Sequence, residues 1–124
     1  MVLFHRILGA QPTSESPTPL VVLHGLLGSS DNWQTLGSRW ADRRRVVLID
    51  QRNHGRSPHH PSHGYPDMVV DLLDTLDHLG IGKADLLGHS MGGKTVMHFA
   101  DRHPTRCRKL IIADIDRKST RLNS

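Results

Sequence analysis

The chain has 124 residues, of which 36% are hydrophobic and only 4% aromatic, which fits one small globular unit with a lean core. No run approaches the ~18 to 20 consecutive apolar residues of a membrane span, so no membrane partner is expected. The opening Met1-Val2-Leu3-Phe4-His5-Arg6 lacks the long apolar stretch and small-residue cleavage site of a secretory leader. The single cysteine, Cys107, excludes an internal disulfide and fits a reducing, cytoplasmic compartment.

The basic balance is a poor guide to partners. Asp116 to Ser124 reads as one translation frame of a common short-read sequencing adapter. Residues 116–124 are therefore expected to be read-through and residues 1–115 the native segment. That tail holds three of the 16 basic residues and one of the 12 acidic ones, so it inflates the formal charge of +4. No nucleic-acid partner is expected.

Taken in order, Met1 to Ala10 could form an early strand, and Gln11 to Pro19 is a Pro/Ser/Thr-rich exposed turn. Pro19 to Leu23 is a continuous apolar, β-branched run, the pattern of a strand buried on both faces. It ends in His24-Gly25-Leu26-Leu27-Gly28-Ser29-Ser30. Asp31 is expected to cap a short helix that carries Trp33, Leu36 and Trp40 on one packing face. Arg43-Arg44-Arg45 reads as a solvated turn. Val46 to Ile49 repeats the buried-strand pattern and runs into Asp50-Gln51-Arg52-Asn53-His54-Gly55-Arg56-Ser57.

His59, His60 and His63 raise the question of a metal. Prolines lie among them and no carboxylate or cysteine is interleaved, so no metal is expected. Pro66 to Leu79 is the strongest helix, with Val69, Leu72, Leu73, Leu76 and Leu79 in one stripe. Asp71, Asp74 and Asp77 are expected outside that stripe, with Gly80 ending the helix. Ala84 to Leu87 is a further strand. After Ser90 an apolar-periodic segment carries Val96, Met97, Phe99 and Ala100 and stops before Pro104. Leu110 to Ala113 is another apolar run, expected as a buried strand, and ends at Asp114.

Leu86 to Thr95 carries two motifs at once. Gly88-His89-Ser90-Met91-Gly92 is a G-x-S-x-G nucleophile elbow, a sharp strand-to-helix turn that lifts a serine oxygen clear of a sheet. Such a turn forces positive φ on Ser90, and Gly88 and Gly92 lack the β-carbons that would clash beside it. The following helix aims free amides at the same spot, which favours an oxyanion. Gly88 to Thr95 also satisfies the P-loop pattern, with Leu110 to Asp114 as a strand and a magnesium-holding aspartate.

Alternating strands and helices imply an α/β fold, a mostly parallel sheet with helices on both faces. Four strand ends then share one edge and carry His24-Gly25, the segment from Asp50 to Ser57, Ser90 and Asp114. In such sheets ligands bind at this edge.

Those motifs, in that order and with Tyr65-Pro66 between them, resemble the first half of an α/β-hydrolase-fold protein. They are most similar to the YbfF-like serine esterases, over roughly Leu20 to Ile115. The resemblance implies an incomplete α/β-hydrolase fold with Ser90 as nucleophile. It implies an oxyanion hole from the amides of Leu26 and Met91, and Asp114 as one candidate for the triad acid, a later residue being the other. His24, Gly25, Gly88, His89 and Gly92 would support the elbow and its facing loop. The triad histidine comes late in such chains, and His24, His54 and His89 each hold a local structural role instead. The implied substrate is a small ester or thioester, without metal or organic cofactor, and residues 1–124 alone are expected to be inactive. A binding protein on the same fold and, more remotely, a P-loop NTPase are the alternatives.

Overall fold

A computed structural model describes residues 1–14 and 18–113. Its centre is a five-stranded sheet of β1 (His5–Leu8), β2 (Leu20–Leu23), β3 (Val46–Ile49), β4 (Ala84–His89) and β5 (Cys107–Ala113), in the order β1-β3-β2-β4-β5. β1 is antiparallel to β3 and every other pairing is parallel. Among the described residues three α-helices complete it: α1 (Gln34–Trp40), α2 (Tyr65–His78) and α3 (Met91–Arg102).

Helices cover both faces, and this is why the central strands are apolar without alternation. Val21, Leu23, Val47, Ile49 and Leu86 pack with Val69, Leu72 and Leu76 of α2 and Val96 and Phe99 of α3. The alternate residues Leu20, Val22, Val46, Leu48 and Leu87 face the other way, toward Trp33 and Trp40. The four predicted strands and the early N-terminal strand are all present, and α2 lies within a residue of its expected bounds.

Local chemistry departs from expectation in four places. The first helical turn, a short 3-10 segment over Ser30–Trp33, is capped by Ser29 and not by Asp31, because Ser29 Oγ accepts the Asp31 amide at 3.2 Å. Asp71 does not lie on the outer face of α2. It is fully buried, and Arg52 reaches across from the β3 exit to bind both its carboxylate oxygens, at 2.6 and 2.9 Å. Arg44 is more than a solvated turn residue, since it donates to the buried carboxylate of Asp85 at 2.7 Å. Finally, Leu110, Ile111 and Ile112 are not buried: β5 is the edge strand of the described sheet, and they are 43%, 41% and 42% exposed.

Candidate active site

The carboxyl ends of β2, β3 and β4 meet on one edge, as the alternating pattern implies. Between β4 and α3 stands a single residue, Ser90, at φ 55° and ψ −113°. A non-glycine residue there is strained and is held by its surroundings. Two close approaches hold it. A β-carbon on Gly88 would lie 2.6 Å from the Gly93 nitrogen and closer still to the Gly92 carbonyl. One on Gly92 would lie 2.6 Å from the His24 carbonyl oxygen and closer to that of Leu23. The two glycines thus let the start of α3 approach the end of β2 backbone to backbone.

Ser90 is exposed, and its backbone oxygen accepts the Lys94 amide at 3.1 Å. No histidine nitrogen among the described residues reaches its hydroxyl. Because Gly88 and His89 belong to β4 and Met91 opens α3, no loop remains to wrap a phosphate, and Lys94 lies in the helix. This geometry leaves the P-loop reading without its phosphate cradle.

Facing the elbow, the loop after β2 turns sharply, with Gly28 N–H donating to the Gly25 carbonyl at 3.0 Å and Leu27 at φ 63°. Its anchors all come from the β3 exit. The His24 ring, 1% exposed, accepts the Gln51 amide at Nε2 (2.9 Å), so Nδ1 carries the proton toward the Gly25 carbonyl (2.7 Å). Burial lowers its pKa from the ordinary 6.5, consistent with that neutral tautomer. His54 Nε2 accepts the Leu27 amide at 3.0 Å while its Nδ1 is bonded to the Arg52 carbonyl at 2.9 Å. Asp50 accepts the Ser30 amide at 2.6 Å and the Arg56 amide at 3.0 Å. Burial pushes the Asp50 carboxyl up, but the Arg56 and Ser30 amide bonds outweigh it and leave the pKa below the ordinary value. The rings of His24 and His54 are thus both engaged at each nitrogen by backbone groups. His89 is half-buried, its ring against Gly25 and 6.1 Å from that of Trp33.

Leu26 lies between two clefts. One, of about 290 Å³, is lined by Leu26, Ser90, Met91, His63, Tyr65 and Lys94 among others. The second, of about 470 Å³, is lined by Gly25, Leu27, Asn32, Trp33, Leu36 and His89. Trp33 is therefore a cleft wall as well as a packing residue. His59, His60 and His63 form no centre: among the described residues no group of three His, Cys, Asp or Glu side chains could hold a metal ion. Asp114 and residues 116–124 lie outside the described residues. The Asp50, Gln51 and Arg52 anchors escaped sequence reasoning. Their signal was polar residues placed directly after an apolar run, where no solvent is available to satisfy them.

A mostly parallel sheet whose β4 runs through a strained serine turn into α3 defines the class. Residues 18–123 match the family model described as "alpha/beta hydrolase fold", and the chain belongs to that family. Among curated relatives it is 47% identical over 100 residues to the sn-1-specific diacylglycerol lipase ABHD11 of Danio rerio, covering 79% of this chain and 32% of that protein. It is 45% identical over 98 residues to the esterase YbfF of Escherichia coli K12, covering 79% of this chain and 39% of that one. Among solved structures, a marine microorganism esterase superposes with a TM-score of 0.85 at 45% identity, covering 92% of this chain and 42% of the other. The chain thus spans about a third to two fifths of the length of these curated relatives. No helix among the described residues is long and apolar enough to cross a membrane.

Proposed function

We propose that this chain carries the nucleophile and oxyanion hole of a serine ester hydrolase. The observation that carries the proposal is Ser90 itself, strained, exposed and at the N-terminus of α3, in a cleft it shares with Leu26 and Met91. Ser90 Oγ attacks the carbonyl carbon of an ester or thioester, passing its proton to a histidine. The amides of Leu26 and Met91 receive the charge that forms on the carbonyl oxygen, helped by the positive end of α3. The alcohol leaves with the proton, and water then releases the acid. Asp114 is the candidate to orient the histidine. The relatives named as esterase and diacylglycerol lipase support an ester substrate.

No histidine among the described residues is hydrogen-bonded to Ser90, although His63 lines the same cleft, so the 124 residues alone are expected to lack turnover. The chemistry calls for no metal or organic cofactor. The lone Cys107 supports a reducing compartment, and we place the protein in the cytoplasm.

A fluorophosphonate probe applied to the full-length protein tests the proposal. It should label once, at Ser90, and Ser90→Ala should abolish both labelling and hydrolysis of a short-chain nitrophenyl ester. Labelling that survives the substitution overturns the assignment. No labelling and no hydrolysis in the parent would favour a binding protein on the same fold.

A further inference from the structure

The two candidate oxyanion amides sit on different elements, Leu26 on the loop after β2 and Met91 in the first turn of α3. One buried side chain touches both. Gln51, 2% exposed, aims its amide nitrogen at the His24 carbonyl, 2.8 Å away and two residues before Leu26. Its amide oxygen lies 3.1 Å from Thr95 Oγ1, a fully buried hydroxyl on α3. That hydroxyl is in turn 3.1 Å from the carbonyl oxygen of Met91, so its single proton is shared between two acceptors, Gln51 Oε1 and the Met91 carbonyl. We propose that Gln51 is a positioning residue for the oxyanion hole, its carboxamide acting through Thr95 to fix the separation between the Leu26 and Met91 amides. The inference rests on the serine-hydrolase proposal above.

A brace is needed because the loop cannot hold itself by burial. The Leu26 and Leu27 side chains are 63% and 90% exposed, so apolar packing does little to pin them. The close approach of Gly92 to the Leu23 and His24 carbonyls limits how near α3 can come to β2. Such a contact is repulsive and sets only the lower bound. An upper bound requires attraction between the two elements. Asp50 and His54 tie the loop to the β3 exit, yet Leu27, Ser30, Arg52 and Arg56, to which they are bonded, all lie outside α3. Apolar packing of Val96 and Phe99 with Val21 and Leu23 draws the two elements together deeper in the sheet, and Gln51 adds the polar link at the loop end. Its orientation is also fixed, because a reversed amide would set oxygen against the His24 carbonyl oxygen. Oxyanion donors work only when both lie about 2.7–3.1 Å from the forming charge, so a small change in their separation costs rate more than substrate binding.

The test uses the full-length protein and a short-chain nitrophenyl ester. Gln51→Met keeps the length of the side chain and removes both polar atoms. It should lower kcat by about tenfold or more, less than the roughly 100- to 1000-fold cost of losing an oxyanion donor outright, while KM stays within about twofold. Affinity for a trifluoromethyl ketone, whose adduct places an oxyanion in the same hole, should fall in step with kcat/KM. Thr95→Val should give a smaller loss of the same kind, and Thr95→Ser should restore most of it. The double variant Gln51→Met with Thr95→Val should be no worse than Gln51→Met alone, because both break one brace. Should Gln51→Met fail to fold, the Thr95→Val and Thr95→Ser pair decides the question. A Gln51→Met enzyme with parental kcat overturns the proposal, as do Thr95→Val and Thr95→Ser variants that behave alike. Ser90-dependent turnover that ignores Gln51→Met would defeat the brace and leave the serine proposal standing. A parent with no Ser90-dependent chemistry would defeat both.

Discussion

The two sides of the candidate oxyanion hole are built by opposite means. The elbow between β4 and α3 is held by steric contact, with two glycines admitting backbone where a methyl group would not fit. The facing loop after β2 is held by polar contact, its amides and carbonyls bonded to buried His24, His54, Asp50 and Gln51. A steric device is insensitive to protonation and fails with one added carbon. A polar device tolerates small volume changes but fails when a buried partner is lost or charged. The two halves should therefore respond to different perturbations.

The largest effect is expected on the polar half, from beneath it. Arg52, 7% exposed at its side chain, holds the β3 exit in place through Asp71, and its own carbonyl is bonded to the His54 ring. Asp71→Leu leaves that guanidinium buried without its carboxylate and should cost about 3–5 kcal/mol. Adding Arg52→Met should recover most of the loss, since replacing both partners removes the stranded charge. Thermal unfolding of the three variants measures it. A double variant as unstable as the single one would show that the pair matters for more than charge compensation.

The steric half comes next. Gly92→Ala places its new carbon against the backbone of Leu23 and His24, which cannot swing aside as a side chain could. We expect about 3 kcal/mol, the upper end of the overpacking range, with the same penalty at pH 8 and pH 6. A pH-dependent penalty would mean that the two halves are not separate devices.

This division also explains what the sequence made legible. Glycine spacing around Ser90 and unbroken apolar strands are local signals, so the elbow, the parallel sheet and the α2 stripe could be read directly. Asp71 could not, because an aspartate between Val70 and Leu72 looks like an outer-face residue until Arg52 arrives from 19 positions away. The cap shifted from Asp31 to Ser29 for a similar reason. Both are good caps, and Arg6 of β1 engages the Asp31 carboxylate. β5 shows the converse limit. Its apolar sequence states a preference for burial, while strand order alone decides what covers it in the described residues.

Acid should act on the polar half alone. His24 has its pKa lowered below 6.5 in the folded chain, chiefly by burial, so the unfolded chain binds its proton first. Stability is then full above pH 6.5 and declines as pH falls from 6.5 toward the lowered folded value. Asp50 extends the decline: its pKa lies below 3.8, so the stability it adds above pH 3.8 is lost as pH falls through the folded value. Melting temperature followed from pH 8 to pH 5 should show a downward slope that flattens in His24→Gln, measured against that variant's own value at pH 8. An unchanged slope would assign the acid sensitivity to another group.

The smallest effect belongs to the exposed end of the polar half. Asn32 Oδ1 accepts the Ser29 amide at 2.9 Å and closes a capping box at the start of the 3-10 turn. Asn32 is exposed, so an amide released by Asn32→Ala can bond to water instead of standing unsatisfied. The cost should be about 0.5–1 kcal/mol, at the low end for a lost cap. Asn32→Asp should recover part of it, because its carboxylate accepts the same amide and sits at a helix start that favours negative charge. Buried anchors at His24, Asp50 and His54 remain in both variants, so hydrolysis by the full-length protein should change by less than about threefold, the factor that corresponds to about 0.6 kcal/mol. If Asn32→Ala instead cost as much as Asp71→Leu, the loop would depend on its solvent-facing cap more than on its buried partners, and the contrast between the two halves would collapse.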